Sequence, residues 1–319
     1  MQPIKLSPVF KDYLWGGTKL KTDFGKVSDL SKVAESWELS THKDGQSIVS
    51  SGDDTGCTLS QYIDKHGEKI LGTKAEKFDY FPILIKFIDA KESLSIQVHP
   101  DDTYALKNEG EYGKTEMWYI LDANPGAYLY YGVNTELSRD EFEAKINDNT
   151  LLDVLNRVEV KKGDVFFIEA GTIHAIGKGI VICEIQQNSN TTYRVYDYDR
   201  RDSSGKTRDL HVRQAIDVSR LIPSTNSDTS GEVQVHEGFC ENLLASCNYF
   251  TVQKFSIETS AFINITEESF KSIIVTDGSG RLTLSSTTID FTKGDSIFIP
   301  AQNGKCEING KCEIIVSYI

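Results

Sequence analysis

Apolar and polar residues alternate along most of this chain in short runs broken by Gly, Asn and Asp, which is the pattern of half-buried strands. The runs at 93–99, 116–122, 127–133, 164–169, 180–187 and 193–198 are predicted strands. Helical signals are fewer. Thr58 to Gln61 reads as a capping box before an amphipathic run to Leu71, and Ser138 to Glu141 as another before Phe142 to Val158. A third helical run, Leu210 to Leu221, stops just before Pro223, and the polar stretch PSTNSDTSGE that follows reads as a linker. Beyond it, strands are expected at 248–258, 271–277 and 311–318, with Asn309-Gly310 as a hairpin turn. The expectation is a mainly β fold with a few short helices and two units, residues 1–230 and 231–319.

An internal repeat supports that division. Lys162 to Ala170, KGDVFFIEA, recurs as KGDSIFIPA at Lys293 to Ala301, identical at six of nine positions. The second copy has no histidine after it, since the last one in the chain is His236, so the C-terminal unit is expected to be metal-free.

Composition narrows the partners. A formal net charge of −13 excludes a broad nucleic-acid or anionic-membrane surface, but a small phosphorylated ligand needs only a few cations focused in a pocket. No run reaches the roughly 18 apolar residues of a membrane span, and MQPIKLSPVF lacks an apolar signal core, so a cytoplasmic protein is expected. The six cysteines form no C-x-x-C pair and read as reduced thiols.

The chemistry concentrates in two segments. In SLSIQVHPDD, Gln97 and His99 lie two residues apart, so a strand turns both to one face; Glu116 and His174 follow at strand ends. Two imidazoles, a carboxylate and an amide oxygen suit a divalent metal with a position left for water or substrate, although the ligand types leave iron and manganese open beside zinc. Any one of these histidines is more often an ordinary polar strand residue. The second segment, KGDVFFIEAGTIHAIG, changes the weighing: Gly163 opens a turn into an apolar strand and Gly171 permits a tight reversal before His174.

That spacing resembles the second motif of cupin barrels, with Glu169 where Pro is usual. Together with YLWGG at 13–17, AESWELS at 34–40, FPILIKFIDAKESLSIQVHPDD and NSNTTYRVYDYDR at 188–200, nearly the whole chain is similar to type I phosphomannose isomerases of the short bacterial kind. The resemblance implies two cupin-like jelly-roll barrels and one zinc ion per chain held by Gln97, His99, Glu116 and His174. It implies phosphate contacts from Ser95, Lys86 and Arg200, and places Lys114 and Arg194 at the reacting centre. It also implies interconversion of mannose 6-phosphate and fructose 6-phosphate by a monomer or weak dimer.

Residue patterns bear on these roles separately. Positions 194, 196, 198 and 200 share a face if TTYRVYDYDR is a strand, so Arg194 and Arg200 can enter one pocket; a solvated surface is the commoner fate of either. Glu184 sits among Val181, Ile182, Cys183 and Ile185, where an inward side chain is expected to have a raised pKa suited to proton transfer, and an outward one would be unremarkable. Family position favours the inward reading. Two departures stand out: many relatives have Asp where this chain has Asn190, and some larger ones His where it has Gly113. Asn190 keeps open a sugar-phosphate-binding cupin without catalysis, and a cupin oxygenase would need redox-active iron.

Overall fold

The computed structural model describes every residue except 202–203 and 224–228, so the expected linker lies partly outside the described residues. The described chain is mainly β, with antiparallel sheets of ten, six and five strands. In the six-stranded sheet the order is Val165–Ile168, Glu116–Ala123, Ile180–Gln187, Ile83–Ala90, Glu35–Leu39 and Val9–Lys11. In the five-stranded sheet it is Tyr193–Tyr196, Ile96–Val98, His174–Ile176, Tyr128–Val133 and Leu155–Glu159.

Side-chain alternation builds the layers. From the Ile180–Gln187 strand, Val181, Cys183 and Ile185 pack with Phe87, Tyr119, Ile274 and Phe298, joining the six- and ten-stranded sheets. Ile180 and Ile182 point the other way and pack with Ile88 and Trp118 against Leu129 and Ile176 of the five-stranded sheet. Glu184 and Gln186 continue this second face, so polar groups enter the space between the two smaller sheets where the apolar pattern ends. On the outer face of the five-stranded sheet, Ile96, Val98 and Tyr193 pack under Phe142, Ile146 and Ala215 of two short helices.

The ten-stranded sheet holds the C-terminal strands together with Ile4–Ser7 and Ile48–Val49 from the start of the chain. The repeat is structural as well as textual. Gly163 and Gly294 both take positive φ, 96° and 92°. The two aspartates close the same turn, Asp164 accepting from the Lys161 amide and Asp295 from the Thr292 amide.

Several predicted elements need correction. Both capping boxes are present, at Thr58/Gln61 and Ser138/Glu141. The first helix is only Leu59–His66, ending at Gly67, whose φ of 80° breaks it before the separate turn Glu68–Leu71. The second stops at Asn147, short of Val158, because Asn149 takes the left-handed conformation (φ 56°); a 3₁₀ turn, Leu151–Val154, and the strand Leu155–Glu159 replace the rest. Leu151, Val154 and Leu155 still face the same core, which is why the periodicity ran on past the break. The third helix is Val212–Val218. Asn309-Gly310 makes no hairpin: Gly304–Tyr318 is one strand, and Gly310 lies opposite Gly280, where a Cβ would come within 2.5 Å of the Ser279 carbonyl oxygen.

One buried ion pair ties the sheets together. Lys26 Nζ lies 2.7 Å from the fully buried Glu38 carboxylate and donates to the Gly294 carbonyl at the second repeat's turn. Burial pushes the Glu38 carboxyl up even with Lys26 beside it. Lys26→Met should therefore cost about 3–5 kcal/mol near neutrality by leaving an uncompensated charge. Because a raised carboxyl pKa makes the folded state the better proton binder, the deficit should shrink as pH falls toward the unfolded-state pKa of about 4.3. Urea unfolding at pH 8 and pH 5 measures both.

Candidate active site

The space between the six- and five-stranded sheets opens at one end into a cavity of about 260 Å³. Strand register brings the predicted ligands together here. His174 pairs with Gln97 across the His174–Ile176 and Ile96–Val98 strands, and Arg194 pairs with Gln97 on its other side. Glu116 begins the facing strand of the six-stranded sheet, with Gln186 opposite it. His99, Glu116 and His174 offer ligand atoms that all lie within 4.8 Å of one another, and all three residues are buried.

Their hydrogen bonds turn the acceptor nitrogens inward, where His99 Nε2 also accepts from Lys114 Nζ at 3.1 Å. His99 Nδ1 donates to the Thr191 carbonyl at 2.9 Å and His174 Nδ1 to the Thr172 carbonyl at 2.8 Å, which fixes both tautomers with a lone pair on Nε2. Those Nε2 atoms approach the Glu116 carboxylate, at 3.7 Å from His99 and 3.4 Å from His174. Gln97 places its side-chain amide 3.3 Å from His174 Nε2, and a flip of that amide would present its oxygen. Burial, helped by Lys114, holds His99 well below the usual imidazole range, and burial lowers His174 to about 4, so both are neutral. Glu116 Oε1 is buried with no hydrogen-bond donor. An orphaned carboxylate oxygen between two neutral imidazoles with aligned lone pairs fits a divalent cation.

Beside this set lies a buried charge cluster. Lys114 Nζ is 2.8 Å from Glu116 and 3.9 Å from Glu184; Lys86 Nζ is 3.5 Å from Glu184 and 3.7 Å from Glu35. Glu184 faces inward, the reading that family position favoured, and accepts from Trp118 Nε1 at 2.9 Å. The expected upward pKa shift is not found. Burial raises the Glu184 carboxyl, but the ammonium groups of Lys114 and Lys86 outweigh it and the net shift is down, while burial and Glu184 push Glu116 up. Glu184 is therefore an ionised base at neutral pH.

The expected cations divide. Ser95, Lys86 and Arg194 line the cavity, and so does Arg208, which sequence reasoning missed. Arg200 does not: it pairs with Asp197 and donates to the Ser93 carbonyl at 2.5 Å. Asp197 also takes Arg208, so two arginines share one carboxylate near the cavity. Burial lowers the Arg194 pKa, with the neighbouring Arg208 adding to it. Arg208 lies eight residues beyond TTYRVYDYDR in a segment without strand pattern, so nothing in the sequence placed it here. Glu35 is the other missed residue; the strand Glu35–Leu39 turns it into the cavity, where it accepts from Trp37 Nε1.

Both departures acquire a structural reason. Asn190 lines the cavity, but its amide donates to Asp44 and its backbone N–H to Glu111. Gly113 lies against the Asp101–Asp102 backbone, where a Cβ would come within 2.4 Å of the Asp101 carbonyl carbon. A larger cavity of about 1010 Å³, around Ile70, Phe78 and Tyr80, contains none of the candidate ligands, so the chemistry assigns the site to the smaller one.

Two family models match this chain: residues 4–131 the catalytic domain of type I phosphomannose isomerase, and 241–319 the cupin domain of mannose-6-phosphate isomerase. The chain is 40% identical to the mannose-6-phosphate isomerase ManA of Bacillus subtilis over 319 residues, covering 100% of this chain and 99% of that protein. It is 37% identical to the mannose-6-phosphate isomerase of Streptococcus mutans over 317 residues, covering 99% and 98%. The crystal structure of the Bacillus subtilis mannose 6-phosphate isomerase superposes with a TM-score of 0.92 at 39% identity, each chain fully covered. The Salmonella typhimurium enzyme in its apo form shares the fold, with a TM-score of 0.78 at 16% identity over 100% of this chain and 99% of that one.

Close packing at Gly113 predicts that even a methyl group there displaces the segment carrying Lys114. Gly113→Ala should cost about 1–3 kcal/mol in urea unfolding. Unchanged stability would show that the backbone shifts freely.

Proposed function

Because the chain belongs to the type I phosphomannose isomerase family, we propose that it interconverts D-mannose 6-phosphate and D-fructose 6-phosphate, with zinc as its metal. The observation that carries this reading is the buried Glu116 oxygen without a donor, between two imidazoles whose Nδ1 atoms are already committed to carbonyls. Gln97, His99, Glu116 and His174 would hold one zinc ion per chain, which when bound supplies Lewis-acid polarisation of the sugar oxygens at C1 and C2.

The chain's own residues do the rest. Aldose–ketose exchange moves a proton from C2 to C1, or back, through an enediolate. Glu184 is the carrier: it is ionised and buried, its geometry fixed by Trp118, with Lys86 and Lys114 holding its charge. A positioned base of this kind contributes roughly 10²- to 10⁴-fold. Lys114 and Arg194 face the sugar oxygens and stabilise the negative charge that develops on them. The phosphate is held where Ser95 and Arg208 line the cavity, with Arg200 steadying Arg208 through Asp197. Lys86 adds positive charge beside Glu184. Binding energy from the phosphate orients the reacting carbons. A cytoplasmic location and a monomer or weak dimer belong to the same proposal; among the described residues no helix is long and apolar enough to cross a membrane, and the six cysteines are free.

Asn190 favours a second reading, a sugar-phosphate-binding protein without turnover, since its amide is spent on Asp44. Purified protein with mannose 6-phosphate and coupled detection of fructose 6-phosphate decides between them. Glu184→Gln should retain substrate binding and lower turnover by roughly 10² or more, with loss of C2 deuterium exchange in D₂O. Near-normal exchange in that variant would move the proton role to another group.

A further inference from the structure

Among the groups that hold the segment carrying Lys114 is one carboxylate outside the cavity, beside the backbone bond from the Gln187 N–H to the Thr115 carbonyl. Asp102, at the start of the helix Asp102–Asn108, accepts the Gly113 N–H at 2.8 Å on Oδ1. The same oxygen accepts from Gln187 Nε2 at 2.8 Å, and Gln187 Oε1 accepts the Thr115 N–H at 2.9 Å. The Lys114 N–H itself donates to the Pro100 carbonyl, one residue past His99. Both neighbours of Lys114 are thus bound, directly or through Gln187, to Asp102. Gly113 packs flat on the Asp101–Asp102 backbone, so the segment has no room to move toward the helix.

The other carboxylate oxygen is taken by a residue from the far end of the chain. Tyr249 sits in the turn between the strands Phe239–Ser246 and Thr251–Ile257, and its hydroxyl donates to Asp102 Oδ2 at 2.9 Å. Its ring packs on the core shared by the six- and ten-stranded sheets. Burial and the Asp102 carboxylate raise the phenol's pKa, so it remains a donor through the physiological range.

We propose that Tyr249 is a positioning residue for the reaction: by fixing the Asp102 carboxylate, it sets where the Gly113–Thr115 segment holds the Lys114 ammonium. The C-terminal unit then contributes to catalysis without a side chain in the cavity. This rests on the role given to Lys114 above. A charge aimed at a developing enediolate is sensitive to displacement, since a shift of about 1 Å can cost on the order of 10²-fold in rate. Losing one of several restraints should cost less.

Tyr249→Phe removes one oxygen and keeps the ring. Turnover should fall roughly five- to tenfold with the Michaelis constant within about twofold, because the loss appears in the transition state. Hydrogen exchange at the Gly113 and Thr115 amides should speed up, while the C-terminal strands keep their protection. In an Asp102→Ala background, adding Tyr249→Phe should change neither reading further, because the effect passes through that carboxylate. Should Asp102→Ala fail to fold, Asp102→Asn provides the same cycle. Unchanged turnover and exchange in Tyr249→Phe, or losses that add fully to those of the Asp102 variant, would overturn the proposal. If wild-type protein lacks isomerase activity, the proposed function fails, and the exchange measurement still decides whether Tyr249 governs the Lys114 segment.

Discussion

Charge buried between two sheets is the constraint from which the site follows. Glu116, Glu184, Lys86 and Lys114 are all nearly sealed from water, with Glu35 close by. Isolated charges in such a place would cost several kcal/mol each, so the two ammonium groups and the carboxylates must neutralise one another. The balance is uneven. Each carboxylate keeps an oxygen without a hydrogen-bond donor, but Glu184 faces two ammonium groups and the Trp118 N–H, whereas Glu116 lies against the two imidazoles. On that asymmetry rest the two roles proposed for these carboxylates, proton carrier for Glu184 and metal ligand for Glu116.

Strand alternation makes the asymmetry possible. The Ile180–Gln187 strand gives one face to the core under the ten-stranded sheet and the other to the space between the smaller sheets, where apolar residues yield to Glu184 and Gln186. Glu116 and Lys86 enter the same space from the neighbouring strands, while His174, Gln97 and Arg194 come from one row of the facing sheet. A register slip of one residue would turn each set to the opposite face, so the cores on both sides also hold the site in register.

Much of this was legible in the sequence, for identifiable reasons. Gln97 and His99 are two apart, so period-two logic put both on one face, whereas for Glu184 the pattern left both faces open and family position favoured the inward one. Gly113 and Asn190 were visible as departures, but only the packing of Gly113 on Asp101 and the Asn190–Asp44 hydrogen bond explain them. Arg208 and Tyr249 left no local signal: one is brought to the cavity by Asp197, the other by contact between segments almost 150 residues apart. The sign of the Glu184 shift was misjudged because sequence reports burial but not the two lysines that oppose it. The second helix was overextended because apolar spacing persists through the turn at Asn149.

The central claim is that the set of half-buried Gln97 and buried His99, Glu116 and His174 is completed by a divalent cation. Calorimetric titration of chelator-treated protein with zinc tests it without reference to turnover. The account predicts saturable binding of one ion per chain, lost in His174→Ala while circular dichroism shows the β fold retained. Absence of saturable binding, or binding undiminished in the folded His174→Ala variant, would contradict it.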